Sequence, residues 1–304
     1  MNKVLVTGAS GLFGLNFIHH LIKAQIFDVH ALLHSRPLSV DNVKTYFIED
    51  KSISSIMYSV KPDIVVHAAG LTNVEQCESD KDLAIKSNVE FSSQLGELCS
   101  EINSKILYIS TDHLWSDQTQ MKDETAPLNP INNYGLTKGH GEKAIEKTCK
   151  QHFILRTNFF GWGPKYRQSF SDYIINSLKS NNRIKLYKDV FYTPIEVSLL
   201  SELILRLFSS EAYGIYNASG SSRISKFDFG KLLASAFNLP KQLIDPVLYN
   251  NLNYEVPRPH EMSLSNQKIC ETLGIEKNSL SIEASISRLL LDYQEHFIQD
   301  IRQL

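Results

Sequence analysis

Tyr134 and Lys138 stand four residues apart in the run YGLTKGHGE, downstream of Thr111 in YISTDH. On a helix, residues i and i+4 share a face, so a phenol and an ammonium at this spacing reach the same small volume. That pairing suits acid–base chemistry. A free phenol titrates near ~10, and bringing it close to neutrality takes roughly 4 kcal/mol of differential stabilisation of its anion, which a nearby lysine charge could supply. An isolated Tyr-x-x-x-Lys is usually a pair of surface neighbours. This one is accompanied by a second signal at the start of the chain.

The first apolar run, KVLVTG, leads into Gly8-Ala9-Ser10-Gly11-Leu12-Phe13-Gly14, a G-x-x-G-x-x-G arrangement at a strand-to-helix junction. Glycines let the backbone turn tightly and approach a pyrophosphate, which faces the amides and positive dipole of the helix N-terminus. The spacing differs by one residue from the G-x-G-x-x-G fingerprint, and its position in a βαβ unit favours dinucleotide binding over a purely structural turn. The second strand ends in Leu33-His34-Ser35-Arg36, where an NAD site would usually carry an acidic residue. A carboxylate there would repel a 2′-phosphate, whereas Arg36 with Ser35 and His34 could bind one, so NADP is expected rather than NAD. Asp50, after the third strand, is a candidate acceptor for the adenine amino group.

These residues need a scaffold, and the first half of the chain supplies its pattern. Short apolar runs (KVLVTG, FDVHALL, TYFI, DIVVHAA, KILYIS, HFILR) alternate with helical stretches, including Leu12 to Lys23, Asp82 to Glu101 and a helix from about Tyr134. The strands are continuously apolar, which indicates burial on both faces. The expected fold class is therefore α/β, a Rossmann-like doubly wound parallel sheet. After Arg156 the alternation weakens. FFGWGP reads as a break, Ser169 to Ser180 as a helix, YGIYNAS as a strand and KFDFGKLLASAFNL as a helix, followed by PRPHEMSLS and two more helical stretches. Residues 1–158 and about 187–216 are assigned to the cofactor-binding domain, and 159–186 and about 217–304 to a smaller C-terminal substrate-binding lobe.

Composition narrows the function. With 304 residues and 31 Lys+Arg against 33 Asp+Glu, the chain is long enough for a large core and has no basic excess for nucleic acid. Cys77, Cys99, Cys149 and Cys270 form no C-x-x-C pair and read as reduced thiols, not as a zinc knuckle or disulfide framework. No cationic leader precedes the first strand, and no segment approaches ~20 apolar residues, so a cytoplasmic protein without a membrane partner is expected. The histidines at 19, 20, 30, 34 and 140 have no ligand-like partners in the sequence, and no metal is assigned.

Taken together, Gly8, Gly11, Gly14, Thr111, Tyr134 and Lys138 resemble the extended short-chain dehydrogenase/reductase superfamily, and more narrowly the dTDP-4-dehydrorhamnose reductase family. The similarity runs almost end to end, through HAAGLTNVEQCESD, STDHLW, APLNPINNYGLTKGHGE, LRTNFFG, TPIEVSLLSELI, GIYNASG and RPHEMSLSNQKICETLGI. It implies an NADPH-dependent 4-ketoreductase acting on a nucleoside-diphosphate sugar in surface polysaccharide synthesis, as a monomer or homodimer. Tyr134 would protonate a ketone oxygen, Thr111 would orient that oxygen, and Lys138 would lower the tyrosine pKa and hold the nicotinamide ribose. Ser10, Leu12, Phe13, Ala68, Ala69 and Gly70 would line the cofactor. Thr72, Val74, Asp112, His113, Phe159 and Arg258 would meet the substrate, with the planar guanidinium of Arg258 suited to its diphosphate. Asn88 matches a supporting asparagine, for which a structural hydrogen bond is as good a reading as an active role.

Two departures bear on the sugar. The rhamnose-forming enzymes carry a tyrosine where this chain has His113 and a tryptophan where it has Phe159. A glutamate tied to magnesium-dependent pairing in some relatives is replaced around Leu15 and Asn16. A dehydratase would need a glutamate base after the threonine, where this chain reads Thr111-Asp112-His113. An epimerase, commonly built around NAD, remains a minor alternative. The rival of another class is a non-catalytic regulatory subunit like that of methionine adenosyltransferase, which the glycine loop, the Arg36 region and RPHEMSLS also resemble.

Overall fold

The computed structural model describes residues 1–38, 40–249 and 255–294, and its centre is the sheet that the apolar runs foretell. The first half folds as β1 (Asn2–Thr7), α1 (Leu12–Ala24), β2 (Phe27–Leu33), β3 (Val43–Phe47), α2 (Ile53–Val60), β4 (Ile64–His67), α3 (Val74–Ser79), α4 (Lys81–Ile85), α5 (Phe91–Glu101), β5 (Lys105–Ile109), α6 (Asn133–Thr148) and β6 (His152–Arg156). There follow β7 (Phe159–Phe160), α7 (Phe170–Lys179), β8 (Ile184–Tyr187), β9 (Phe191–Tyr192), β10 (Ile195–Glu196), α8 (Val197–Phe208) and β11 (Gly214–Asn217). The remainder is β12 (Ile224–Ser225), α9 (Lys226–Ala236), β13 (Ile244–Val247), α10 (Gln267–Leu273) and α11 (Ile282–Gln294).

Seven strands pair in the order β11-β6-β5-β4-β1-β2-β3, all in parallel. This is the doubly wound α/β architecture expected from the sequence. The chain winds outward in both directions from β1 and β4, so the carboxyl ends of those two strands open a crevice at the switch point. Thr7 pairs with His67, and the two strands end level. Burial on both faces explains the composition: Val4, Leu5, Val6, Val65, Val66, Ile106 and Leu107 are all fully enclosed.

Two apolar clusters clothe the sheet, one under α1 and α8 and one under α2 and α5. A third, separate cluster joins Trp162, Ile174, Ile175 and Leu178 to Tyr192, Phe229, Leu233 and Leu289, forming the centre of a smaller lobe. Ile269 and Cys270 of α10 pack back into the large cluster. Parts of the expected small lobe, at 250–254 and 295–304, lie outside the described residues. The break expected at FFGWGP contains a strand, because Phe159 and Phe160 pair in parallel with Ile195 and Glu196.

The helix expected from Asp82 to Glu101 is interrupted. A π turn at Lys86–Glu90 separates α4 from α5, and the buried Asn88 within it faces inward. Its Oδ1 accepts from the Leu71 amide at 2.8 Å, and its Nδ2 donates to the Leu71 carbonyl at 3.0 Å and to Thr137 Oγ1 at 3.1 Å. One wide turn thus ties the segment after β4 to α6. The structural reading of Asn88 accounts for all three bonds.

Candidate active site

The crevice beyond the strand ends is a cavity of about 570 Å³. One wall is Phe13, Ala68, Ala69 and Gly70 beside the glycine loop; another is Thr111, Asp112, Tyr134 and Lys138; the small-lobe side carries Phe159, Arg167 and Arg258. Thr72, Val74 and His113 line it as well, so every expected substrate residue reaches this space. Gly8, Ser10 and Gly11 belong to the loop beside it, and Leu12 and Gly14 to the first turn of α1. His34, Ser35, Arg36 and Asp50 are exposed and stand away from the cavity, beyond β2 and β3.

Glycine is required where the loop turns most sharply. Gly8 has φ +66°, and a Cβ there would lie 2.7 Å from the Ala68 carbonyl; one on Gly14 would lie 2.4 Å from the Gly8 oxygen. Gly11 caps α1 with no side-chain hydrogen bond, and the first turn holds no acidic residue. The helix therefore presents free amides and the positive end of its dipole at the crevice. Beneath it, the buried His67 bonds Thr7 Oγ1 at 2.9 Å and Ser92 Oγ at 3.0 Å, which fixes the ends of both central strands.

α6 begins with Asn132 accepting from the Gly135 amide at 2.9 Å, and its first turns deliver Tyr134 and Lys138. Burial pushes the Tyr134 phenol up to about 12, against an opposing hydrogen bond from Thr111 and the more distant charge of Arg167. Lys138 donates to the Ile109 carbonyl at 2.8 Å and lies 3.9 Å above the Tyr108 ring. Burial lowers its pKa to about 7, with Glu142 pulling it upward. The expected lowering of Tyr134 by Lys138 is thus outweighed: desolvation dominates both groups, and the ammonium is engaged with a carbonyl and a ring.

Behind them, Glu142 accepts from Ser110 Oγ at 2.5 Å and pairs with Arg156, Nη2 to Oε2 at 2.8 Å and Nε to Oε1 at 3.0 Å. This enclosed pair anchors α6 to the ends of β5 and β6. Asp112 accepts from Asn158 Nδ2 at 2.7 Å. Burial raises its pKa and the charge of Lys226 opposes the shift; burial lowers the pKa of Lys226, and Asp112 opposes that shift. His113 stands edge-on to Tyr134 with ring centroids 5.5 Å apart. Burial depresses its pKa to about 3, assisted by Lys226 and Arg258, so the ring is neutral at physiological pH. Phe159 packs against Phe13 with centroids 5.7 Å apart, so it touches the helix that follows the glycine loop. Leu15 and Asn16 are buried, and Asn16 donates to the Leu12 and Trp162 carbonyls at 2.7 and 3.0 Å.

Among the lining residues not foreseen from the sequence are Glu75, Asn158 and Arg167. Tyr166, next to Arg167, donates to the Ser10 carbonyl at 2.6 Å, and its ring lies 4.5 Å from the Arg36 guanidinium carbon. The proline-flanked loop that carries both gave no motif to single them out.

Residues 1–293 match the family model described as RmlD substrate binding domain. The chain is 30% identical over 277 residues to a spore coat polysaccharide biosynthesis protein of Bacillus subtilis, covering 90% of this chain and 93% of that one. It is 28% identical over 289 residues to a dTDP-4-dehydrorhamnose reductase of Aggregatibacter actinomycetemcomitans, with coverage of 91% and 95%. It is 24% identical over 300 residues to methionine adenosyltransferase 2 subunit beta of Bos taurus, with coverage of 95% and 89%. The fold is that of a dTDP-4-dehydrorhamnose reductase from Bacillus anthracis in complex with NADP, at a TM-score of 0.83, 24% identity and coverage of 96% and 100%.

Proposed function

The chain belongs to the RmlD substrate binding domain family, within the extended short-chain dehydrogenases/reductases, and from that premise we propose that it is an NADPH-dependent reductase of a nucleoside-diphosphate 4-keto-6-deoxyhexose in surface polysaccharide synthesis. The observation that carries the reading is the convergence of Thr111, Tyr134 and Lys138 on one cavity between the glycine loop and the small lobe. The relatives named for polysaccharide synthesis and for reduction of dTDP-4-dehydrorhamnose support the substrate class. On this reading residues 1–158 and about 187–216 serve the cofactor. Residues 159–186 and about 217–304 serve the sugar nucleotide, with α10 of that range packed on the cofactor layer.

NADP fits the residues present. The uncapped N-terminus of α1 would take the diphosphate, Arg36 with Ser35 and His34 the 2′-phosphate, and Ala68 to Gly70 with Lys138 the nicotinamide end. NADPH, when bound, supplies the hydride that reaches the ketone carbon. Tyr134 supplies the proton. Held at about 12, its phenol stays protonated at neutral pH, and it gives that proton to an oxygen that becomes far more basic as the carbonyl is reduced. The Thr111 hydroxyl orients the oxygen, and its hydrogen bond together with the charge of Arg167 favours the phenolate left behind. Reprotonation of Tyr134 closes the cycle.

The test is NADPH oxidation with dTDP-4-dehydrorhamnose and with GDP-, CDP- and UDP-linked 4-keto-6-deoxy sugars, with products resolved. Turnover of one of them is expected, and Tyr134→Phe should lower it by about 10²–10⁴-fold while NADPH still binds. Tight NADPH binding without turnover of any of these sugars would replace the reductase by a regulatory subunit.

A further inference from the structure

At the mouth of the cavity, two guanidiniums of the small lobe meet one short stretch of the large lobe. Arg167 Nη2 donates to Thr72 Oγ1 at 3.0 Å, and Arg258 Nη2 pairs with Glu75 Oε1. All four residues line the cavity. The side chains of Arg258 and Glu75 remain 33% and 51% exposed, so an incoming anion can reach the pair.

The backbone around Arg258 is held independently of that pair. The Arg258 amide donates to Tyr249 Oη at 2.9 Å, the Pro257 carbonyl accepts from Asn132 Nδ2 at 2.9 Å, and the Phe191 amide donates to the His260 carbonyl at 2.7 Å. Glu75 is fixed from the other side, in the first turn of α3, which Asn73 caps through the Gln76 amide. Arg258 thus has a set position with its guanidinium engaged by a carboxylate inside the site.

A carboxylate offers a guanidinium the same pair of oxygens as a phosphate does. Glu75 brings one charge to one arginine, whereas a sugar-linked diphosphate brings two charges to a space bordered by both. We propose that Glu75 stands in for the substrate diphosphate. It holds Arg258 in the cavity until the diphosphate displaces it and engages Arg258 and Arg167 together. The competing carboxylate sets the affinity and disfavours ligands that lack a diphosphate. This inference rests on the nucleotide-sugar reading above.

Removing the competitor strengthens binding. Calorimetry with dTDP should show Glu75→Gln binding about two- to fivefold more tightly than wild type, the range expected for an exposed ion pair. With a turned-over sugar nucleotide, the change should fall on KM more than on kcat. Thymidine, which has no phosphate, should bind both proteins equally. In an Arg258→Met background, Glu75→Gln should no longer alter dTDP affinity, a coupling that a merely structural role would not produce. The proposal is overturned if Glu75→Gln binds dTDP no more tightly, if thymidine gains as much as dTDP, or if the gain persists without Arg258. Failure of the wild-type protein to bind either dTDP or UDP would instead overturn the nucleotide-sugar reading, and this inference with it.

Discussion

Burial brings the pKa of Lys138 down to about 7, into the neutral range, with Glu142 opposing the shift. An anionic cofactor placed beside it favours the ammonium form, so binding takes up a proton whenever the free protein holds Lys138 neutral. NADP affinity should therefore rise as the pH falls through about 7 and level off below. Titrations of wild type and Lys138→Met across that range check this: the variant should bind more weakly and lose the slope, and an unchanged slope would assign the proton to another group. For substrate choice, we propose two other side chains. His113 is a neutral ring against Tyr134, and Phe159 rests on Phe13. Replacing them with the family's residues, His113→Tyr with Phe159→Trp, should shift relative kcat/KM toward dTDP-4-dehydrorhamnose by about tenfold or more, the scale of pocket contacts. An unchanged ratio across the panel of sugars would show that neither residue selects the substrate. Both departures were legible in the sequence because they sit beside Ser110-Thr111-Asp112 and Arg156-Thr157, the motif residues that carry the family resemblance. Glu75 and Arg167 were not, since a lone charge, in the first turn of a short helix or in a loop, carries no periodicity to mark it.

At the scale of elements, the sheet was legible because strands enclosed on both faces must be apolar throughout, as in Ile64–His67 and Lys105–Ile109. The π turn at Lys86–Glu90 was not legible. Its cause is a tertiary contact of Asn88 with Leu71 and Thr137, at separations of 17 and 49 residues, which local propensity does not record. The turn also sets how closely α6 approaches. A Cβ on Gly141 would lie 2.4 Å from Tyr108 Oη and 2.5 Å from the Asn88 carbonyl. Gly141→Ala must push α6 away from the turn that aligns it, at a cost of about 1–3 kcal/mol typical of overpacking. Urea unfolding measures the loss. Activity should fall with it, since Tyr134 and Lys138 ride on the same helix. A variant of wild-type stability would mean that the helix and the turn can separate without strain.

For the whole molecule, the sequence suggested a division of labour between two lobes but recorded none of the contacts across them. Arg258 meets Glu75 across 183 residues, and Tyr166 meets Ser10 across 156. Such pairs depend on how the small lobe is set against the sheet. Tyr166 shows what this arrangement adds. The sequence marks Arg36 as the residue that distinguishes NADP from NAD, yet an exposed arginine in a loop has many rotamers and binds a phosphate poorly until one is favoured. The small lobe favours one by laying the Tyr166 ring 4.5 Å from the Arg36 guanidinium carbon while its hydroxyl is fixed on the Ser10 carbonyl. A cation–π contact at an exposed site contributes about 0.5–1 kcal/mol, or roughly two- to fivefold in affinity. Tyr166→Ala should weaken NADP binding by that factor and leave NAD binding nearly unchanged, because NAD has no 2′-phosphate for Arg36 to hold. Tyr166→Phe keeps the ring and should retain most of the preference. If Tyr166→Ala weakened both cofactors equally, the loop would serve only to close over the diphosphate, and the choice of NADP would belong to the β2 end alone.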